Sequence, residues 1–395
     1  MSLDFQQVYQ QVKRLGENAL LRQDRLNTSR EKAEAALESF AQEFDRLRDR
    51  VQLVARLYDP TLRCAVPVNE ALDAHFPLPS PAPQATVLAA DGSQIVPDRN
   101  VEVEYCLINV GAIQMRLGLQ EPSATTVKTE LFSGDGLYTP TGTITDARLA
   151  LMRDLGERTL LAELAAEASP PVIAFTDGPM ELWSQGREAE EMTFFQKSLE
   201  EYLKALSRLH DLGAITAGYV DKPAANLVVR LLELMIVPEA DLNGIRNSHP
   251  LQGITDASLY RDLLGVDERS PVFELRSQFA RNYGGALALH FFYLNVGREN
   301  RPWLVRVEVP AWVAGDSDML NSLHAVLVDQ CRIMGNRPYP YLLHRAHEVA
   351  VVSQQEKEQV TQMIALELRK WGVTVGEKSY KQSAKDLTGR TGYKG

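Results

Sequence analysis

Cysteine is scarce in this chain, and the few cysteines stand far apart. The 395 residues include only Cys64, Cys106 and Cys331, an odd number with no C-x-x-C pair. This pattern argues against a disulfide framework or a zinc knuckle and favours a reducing compartment. The chain is about two to three times as long as a typical domain, so it can bury a large core without such links.

Excess positive charge and long apolar runs are also missing. The 42 basic and 52 acidic residues give a net charge of −10, which excludes a highly cationic nucleic-acid coat but not a local basic groove. The N-terminal residues lack the apolar stretch of a signal peptide. The longest apolar run, 286–296, is interrupted by His290 and Asn295 and is too short to cross a bilayer. We therefore expect a soluble, cytoplasmic protein without membrane contact.

The first 58 residues are predicted to be helical, because they contain one glycine and no proline. Apolar residues recur there at alternating steps of four and three, which is a heptad pattern. The members of this pattern are Ala33, Leu37, Phe40, Phe44, Leu47, Val51, Val54 and Tyr58. Two interpretations are equally good: an arm that pairs with another subunit or a partner, or a long helix lying on its own domain.

Composition divides the chain into four segments. We expect a helical arm over 1–60, a proline-rich linker over 61–84, a main domain over 85–375 and a disordered basic tail over 376–395. The main domain opens with three short strands, and helices and strands then alternate. Its predicted strands are 86–90, 101–113, 125–132, 172–176 and 214–220, with helices over about 146–168 and 192–209. This β-β-β-α-β-α-β order predicts an α/β fold with a mixed sheet flanked by helices.

Further on, a strand hairpin is expected between residues 287 and 309, followed by helices over 316–334, 341–352 and 353–371. The sequence Ser353-x-x-Glu356 is a capping box that opens the last of these helices.

Two of the predicted strands end in the same motif, an aspartate followed by glycine. Asp91-Gly92 follows the first strand, and Asp177-Gly178 follows the fourth. A single Asp-Gly after a strand is usually only a turn. Two in one sheet strengthen the case for a ligand site, because ligands of open α/β sheets bind beyond the strand ends. Carboxylate oxygens are also the ligands that hard divalent cations prefer.

The helix between these strands offers a third carboxylate. Comparing the rise of a strand with that of a helix places the residue level with Asp177 roughly 11–13 positions before the helix end, which indicates Glu157. Glu163 is deeper along the helix and on another face, so Glu157 is preferred. A solvated helix surface remains the simpler interpretation of either glutamate.

A late segment, 335–347, is dense in aromatic, basic and histidine residues, among them Tyr339 and His347. On its own, this segment is most simply a surface turn of helix.

Together these residues resemble the NurA family of DNA nucleases. The matching positions are Asp91, Glu157, Asp177, Tyr339 and His347, and the likeness covers roughly residues 85–352. The element order independently resembles the RNase H-like fold on which that family is built. The resemblance implies a Mn²⁺- or Mg²⁺-dependent deoxyribonuclease with 5′-to-3′ exonuclease or single-strand endonuclease action. It further implies a homodimer that acts with a HerA-type hexameric ATPase in DNA end resection and repair.

In a nuclease of this type, Asp91, Glu157 and Asp177 are expected to hold one or two divalent ions, with His347 as a fourth ligand. Such ions activate a water molecule and stabilise the leaving oxygen. Tyr339 is expected to hydrogen-bond the scissile phosphate or to stack on a base. The cations that position phosphates could come from several residues, among which the sequence does not choose: Lys222, Arg276, Arg281, Arg337 and Arg345.

Two other functions fit the same fold. One is a non-catalytic RNase H-like scaffold that assembles through its heptad arm, and the other is a nuclease that cuts RNA. A scaffold has no use for buried acids, which weighs against the first. No P-loop is present, so any DNA pumping must come from a partner. The sequence leaves open the strand polarity, the metal used in the cell, and whether the arm serves the dimer or the ATPase.

Overall fold

The computed structural model describes residues 3–79, 81–140, 142–183 and 188–376. The helices of the described part are α1 Phe5–Glu17, α2 Ala19–Ser39, α3 Phe44–Leu57, α4 Asp146–Glu167, α5 Ala189–Asp211, α6 Leu227–Ile236, α7 Asp256–Leu259, α8 Ala311–Ala314, α9 Ser317–Ile333, α10 Tyr341–Ala350 and α11 Gln354–Lys370. The strands are β1 Cys64–Pro67, β2 Thr86–Ile95, β3 Tyr105–Arg116, β4 Ala124–Ser133, β5 Tyr138–Thr139, β6 Gly142–Thr143, β7 Val172–Asp177, β8 Ile215–Val220, β9 Phe273–Arg276, β10 Leu289–Asn295 and β11 Leu304–Pro310.

Nine of these strands form one mixed sheet in the order β1-β9-β10-β11-β8-β7-β2-β3-β4. The β-β-β-α-β-α-β core predicted from the sequence is present as β2, β3, β4, α4, β7, α5 and β8. The fold class is therefore confirmed: an α/β protein with the RNase H-like element order. The predicted hairpin over 287–309 is β10 and β11, and the capping box of Ser353 and Glu356 is formed at the start of α11.

The chain forms two compact units that do not follow chain order. The first unit contains residues 1–82, 178–181 and 217–339, and the second contains 83–177, 182–216 and 340–395. Most of the predicted basic tail, residues 377–395, lies outside the described residues. Within the described ranges, every helix is too short or too polar to cross a bilayer.

In the first unit, the segment predicted as one long helix is three helices. The helix is interrupted by a turn at Asn18 and again between α2 and α3, where Leu72 donates its N–H to the Ala41 carbonyl. Five of the heptad residues are buried within this unit, where α2 and α3 pack against α6 and β1: Ala33, Leu37, Leu47, Val51 and Val54. Over α2 and α3, the structure thus agrees with the interpretation that the helices lie on their own domain, whereas α1 has no buried residue.

The proline-rich segment is more than a linker. Its strand β1 pairs antiparallel with β9, and Leu62, Cys64 and Ala65 are fully buried. The sequence prediction missed this strand because a four-residue apolar run gains its structure only from the distant partner that it pairs with.

In the second unit, β2, β3 and β4 form an antiparallel meander, and β7 is added parallel to β2. The helix α4 begins at the cap Thr145, whose side chain accepts a hydrogen bond from the Arg148 N–H. It packs across β2, β3 and β7 and against α5, and α10 packs on β2 and β3. These two helices carry predicted site residues to β2, the strand that contains Asp91.

His324 is a fully buried histidine of the first unit. Its Nε2 lies 2.7 Å from the Asp267 carbonyl oxygen and donates to it, whereas Nδ1 has no partner among the described residues. Burial lowers the pKa of His324 to about 4, because the imidazolium form needs a second acceptor that its surroundings do not provide.

This pKa predicts a loss of stability in mild acid. Protonation of His324 is disfavoured in the folded protein. The free energy of unfolding therefore has its full value above the unfolded pKa of 6.5 and decreases as the pH falls toward 4. The decrease amounts to about 3 kcal/mol. We expect His324→Gln to flatten the decline in the free energy of urea unfolding between these pH values, whereas His210→Gln, an exposed change, does not. If the free energy of unfolding falls equally with pH in the wild type, His324→Gln and His210→Gln, the lowered pKa of His324 is contradicted.

Candidate active site

Two aspartates lie side by side because β2 and β7 run parallel. Residues Thr86–Ala90 are in register with Val172–Thr176, so the next residues along the two strands are Asp91 and Asp177. Neighbouring strands are about 4.8 Å apart. The prediction that both aspartates end their strands is correct for Asp177 only. β2 continues to Ile95, because its other neighbour, β3, still pairs with it beyond Asp91.

Asp91 is bound to His347. The histidine Nδ1 lies 2.7 Å from Asp91 Oδ2, and the aspartate side chain is only 15% exposed. A carboxylate accepts, so Nδ1 carries the proton in this contact. In the neutral imidazole, Nε2 then keeps its lone pair for another ligand.

The end of α10 is held in place by two side chains of the sheet. Ser93 Oγ and Asn109 Nδ2 both donate to the carbonyl of Ala350, at 2.6 and 2.8 Å. A carbonyl in the last turn of a helix lacks an intrahelical donor, so these contacts satisfy it. They also fix the position of the helix that carries His347 relative to Asp91.

The helix α4 brings two acids and one arginine to the same place. Glu157 is 5% exposed, and its Oε1 lies 3.6 Å from Nε of Arg153. The guanidinium of Arg153 also donates to Asp154 Oδ1 at 2.9 Å. Arg153 thus faces two carboxylates, and the charges of Arg158 and Asp91 also act on Glu157.

This crowding changes the acidity of the carboxyl groups. Burial raises the pKa of Glu157 well above its usual value, and the negative charges of Asp154 and Asp91 raise it further. Burial also raises the pKa of Asp154, against the opposing effect of Arg153. A site that disfavours its own negative charges in this way gains when a cation joins it.

Gly92 permits the close contact between β2 and α4. A Cβ at this position would lie 2.4 Å from Arg153 Cγ and 2.9 Å from Glu157 Oε1. Any other residue would therefore displace the side chains of Arg153 and Glu157. The glycine after the aspartate is needed for this approach, and not for a turn, since β2 runs straight through it.

Arg158 is a site residue that the sequence analysis missed. It is 1% exposed, and its guanidinium donates to Thr176 Oγ1 and Thr216 Oγ1, both at 2.8 Å. It thereby fixes the residue that precedes Asp177. The signal available in the sequence was an arginine at helical spacing between the apolar Leu151 and Ala162, both of which are buried.

The remaining predicted residues lie elsewhere. Glu163, the weaker candidate for the helical acid, is bound to Lys128 of β4 and is 38% exposed. Tyr339 belongs to the first unit, where its ring meets that of Tyr219 edge to face at 5.7 Å. Of the predicted set, Asp91, Glu157, Asp177 and His347 all belong to the second unit. Within the described residues, no three His, Cys, Asp or Glu side chains are already arranged as a metal site.

The comparisons with known proteins agree with this architecture. The model of the NurA domain matches residues 85–352. The crystal structure of the NurA nuclease from Sulfolobus solfataricus is similar over 92% of this chain and 97% of its own, with a TM-score of 0.52 and 11% identity. The catalytic domain of human endonuclease V is similar over 82% and 98%, at a TM-score of 0.32 and 15% identity.

No curated protein matches the chain significantly in sequence. The family model nevertheless spans well over half of the 395 residues, from before β2 to beyond α10. It includes both Asp-Gly motifs, the helix α4 and the segment with Tyr339 and His347. This chain is therefore a member of the NurA family.

Proposed function

We propose that the protein is a divalent-metal-dependent DNA nuclease that hydrolyses phosphodiesters at Asp91, Glu157, Asp177 and His347. The observation that carries the proposal is the 2.7 Å contact between Asp91 and His347, together with the buried Glu157, whose pKa is raised by burial and further by the charges of Asp154 and Asp91. The NurA family membership and the fold of its nuclease relative support a nuclease.

The donor set suits a hard divalent cation. Three carboxylates offer oxygen ligands, and His347 adds a nitrogen ligand that Mn²⁺ tolerates better than Mg²⁺. Burial raises the pKa values of Glu157 and Asp154, neighbouring carboxylates raise them further, and one or two such ions would favour the charged forms of both groups. When bound, the metal lowers the pKa of a bound water and neutralises charge on the phosphate.

The protein's own residues fix these ligands. Gly92 lets Glu157 approach β2, and Arg158 holds the strand residue before Asp177. Ser93 and Asn109 anchor the helix of His347. Arg153 balances the acids in the structure. Tyr339 is proposed to contact the scissile phosphate or a base, on the strength of the family motif alone.

We extend the proposal to the partners that the family resemblance implies. The protein would form a homodimer and act with a HerA-type hexameric ATPase in DNA end resection, as a 5′-to-3′ exonuclease, a single-strand endonuclease or both. The exposed apolar face of α1, which includes Phe5, Val8, Val12 and Leu15, supports a contact with a partner. A cytoplasmic location stays a prediction.

The first test is digestion of linear DNA labelled at the 5′ or 3′ end, with Mn²⁺ present. We expect cleavage by the wild type and its loss in Asp177→Ala, because one of the carboxylate ligands is removed. No cleavage by the wild type, even with a partner ATPase, would favour the scaffold. Cleavage of labelled RNA in place of DNA would identify an RNA nuclease. Equal cleavage by both proteins would contradict the assignment of the site.

Glu157→Gln separates catalysis from stability, and Glu163→Gln on the same helix is its matched control. We expect Glu157→Gln to reduce cleavage by about 100-fold or more, because the cation loses a charged ligand. Its melting temperature in EDTA should be equal to that of the wild type or higher, since a neutral amide avoids the cost of a buried carboxylate. Glu163→Gln should retain activity. If Glu163→Gln loses activity and Glu157→Gln does not, Glu163 is the metal-binding glutamate in place of Glu157.

Gly92→Ala tests the close approach of α4. The added methyl group must displace Arg153 and Glu157, so we expect a loss of about 1–3 kcal/mol in the free energy of unfolding and a large drop in cleavage. Gly136→Ala is the control, because its Cβ would find its nearest neighbour at 3.8 Å. Urea unfolding and the DNA digestion measure the two effects. A fully active, stable Gly92→Ala protein would show that the contact is dispensable.

A further inference from the structure

The first unit contains a cavity of about 730 Å³ that the proposed metal site does not use. Its walls come from the residue after β8, from the turn between β10 and β11, and from the segment that follows α9. Four arginines and two aromatic residues line it: Arg298, Arg301, Arg332, Arg337, Trp303 and Tyr339. The size falls within the range of pockets that take small organic ligands.

The charge of this cavity is opposite to that of the chain. Arg332 forms an ion pair with Asp267, and Asp221 accepts a hydrogen bond from Trp303 Nε1 at 2.8 Å. Arg298, Arg301 and Arg337 are exposed and have no ion-pair partner within the described part of the chain. Two acids thus face four arginines, in a protein whose net charge is −10. Such a site attracts an anion.

The turn between β10 and β11 holds two of the arginines in a fixed arrangement. Arg298 and Arg301 exchange backbone hydrogen bonds of 3.1 and 2.8 Å, as directly opposite residues of a hairpin do. Side chains of opposite residues point to the same face, with Cβ atoms about 5 Å apart. Gly297 makes this turn possible, because a Cβ there would lie 2.3 Å from the backbone nitrogen of Trp303. Two guanidinium groups at this spacing can bind one phosphate between them.

Trp303 is fixed beside this pair. Asn295 Oδ1 accepts hydrogen bonds from the backbone of both Gly297 and Trp303, and Asp221 holds the indole N–H. The Lys222 ammonium lies 5.4 Å from the centre of the indole ring. A rigid aromatic surface next to a pair of arginines suits a nucleotide, whose base can stack while its phosphate is bound.

We propose that this cavity binds one nucleotide of a single DNA strand, with its phosphate at Arg298 and Arg301 and its base against Trp303. The inference rests on the proposed function, since a DNA strand is its ligand. It adds a binding site that carries no carboxylate of the proposed metal centre.

The test is the binding of a fluorescein-labelled oligo-dT 12-mer to the full-length protein in EDTA, which prevents metal-dependent cleavage. We expect the Arg298→Ala/Arg301→Ala double variant to bind at least about tenfold more weakly and to show a smaller salt dependence. Trp303→Leu should also weaken binding. Arg246→Ala, an exposed arginine outside the cavity, should bind within about twofold of the wild type. Melting temperatures equal to the wild type exclude misfolding.

The outcomes separate this inference from the proposed nuclease. Normal binding by the double variant, in a protein that cleaves DNA with Mn²⁺, would overturn the nucleotide site and leave the nuclease intact. Weaker binding by the double variant, in a protein that cleaves nothing, would support the site and reject the nuclease. Competition with dTMP and with inorganic phosphate identifies the ligand. Equal displacement of the oligonucleotide by both competitors would reduce the site to a simple anion site and overturn the proposal.

Discussion

The parallel register of β2 and β7 is the constraint on which the candidate active site depends. It brings Asp91 and Asp177 together without any loop contributing, and every other group is arranged around that pair. α4 can deliver Glu157 only because residue 92 has no side chain, and α10 can deliver His347 only because its last carbonyl is bound by the sheet. The cost is the burial of negative charge: burial raises the pKa of Glu157, and the charges of Asp154 and Asp91 raise it further. That same charge is what makes the place suitable for a cation.

The order of the helices and strands could be predicted because each of these elements has a local sequence pattern. Apolar alternation identifies β4, continuous apolar runs identify β7 and β8, and Ser353 with Glu356 marks the start of α11. Two features had no local signal. The heptad residues of α2 and α3 have the same spacing whether their partner is another helix or the chain's own α6 and β1. The strand β1 forms by pairing with β9, whose residues lie more than 200 positions later in the sequence.

The sequence indicates the acids of the candidate site, whose roles stay predictions, but not the residues that support them. Asp91 and Asp177 were indicated by a repeated motif, and Glu157 was indicated by comparing the rise of a helix with that of a strand. Arg158 was missed, because a buried arginine is identified only by the two threonine hydroxyls that accept its hydrogen bonds. The arginine pair of the β10–β11 turn was missed for a related reason, since backbone pairing and not sequence spacing puts Arg298 opposite Arg301.

The contact between Asp91 and His347 joins residues 256 positions apart, and residues 217–339, a large part of the first unit, lie between them in the sequence. During synthesis, the carboxylates of β2, α4 and β7 leave the ribosome long before their imidazole does. A nascent chain that ends before His347 therefore holds an incomplete candidate site. The chain order thus delays completion of that site until residue 347 has been synthesised.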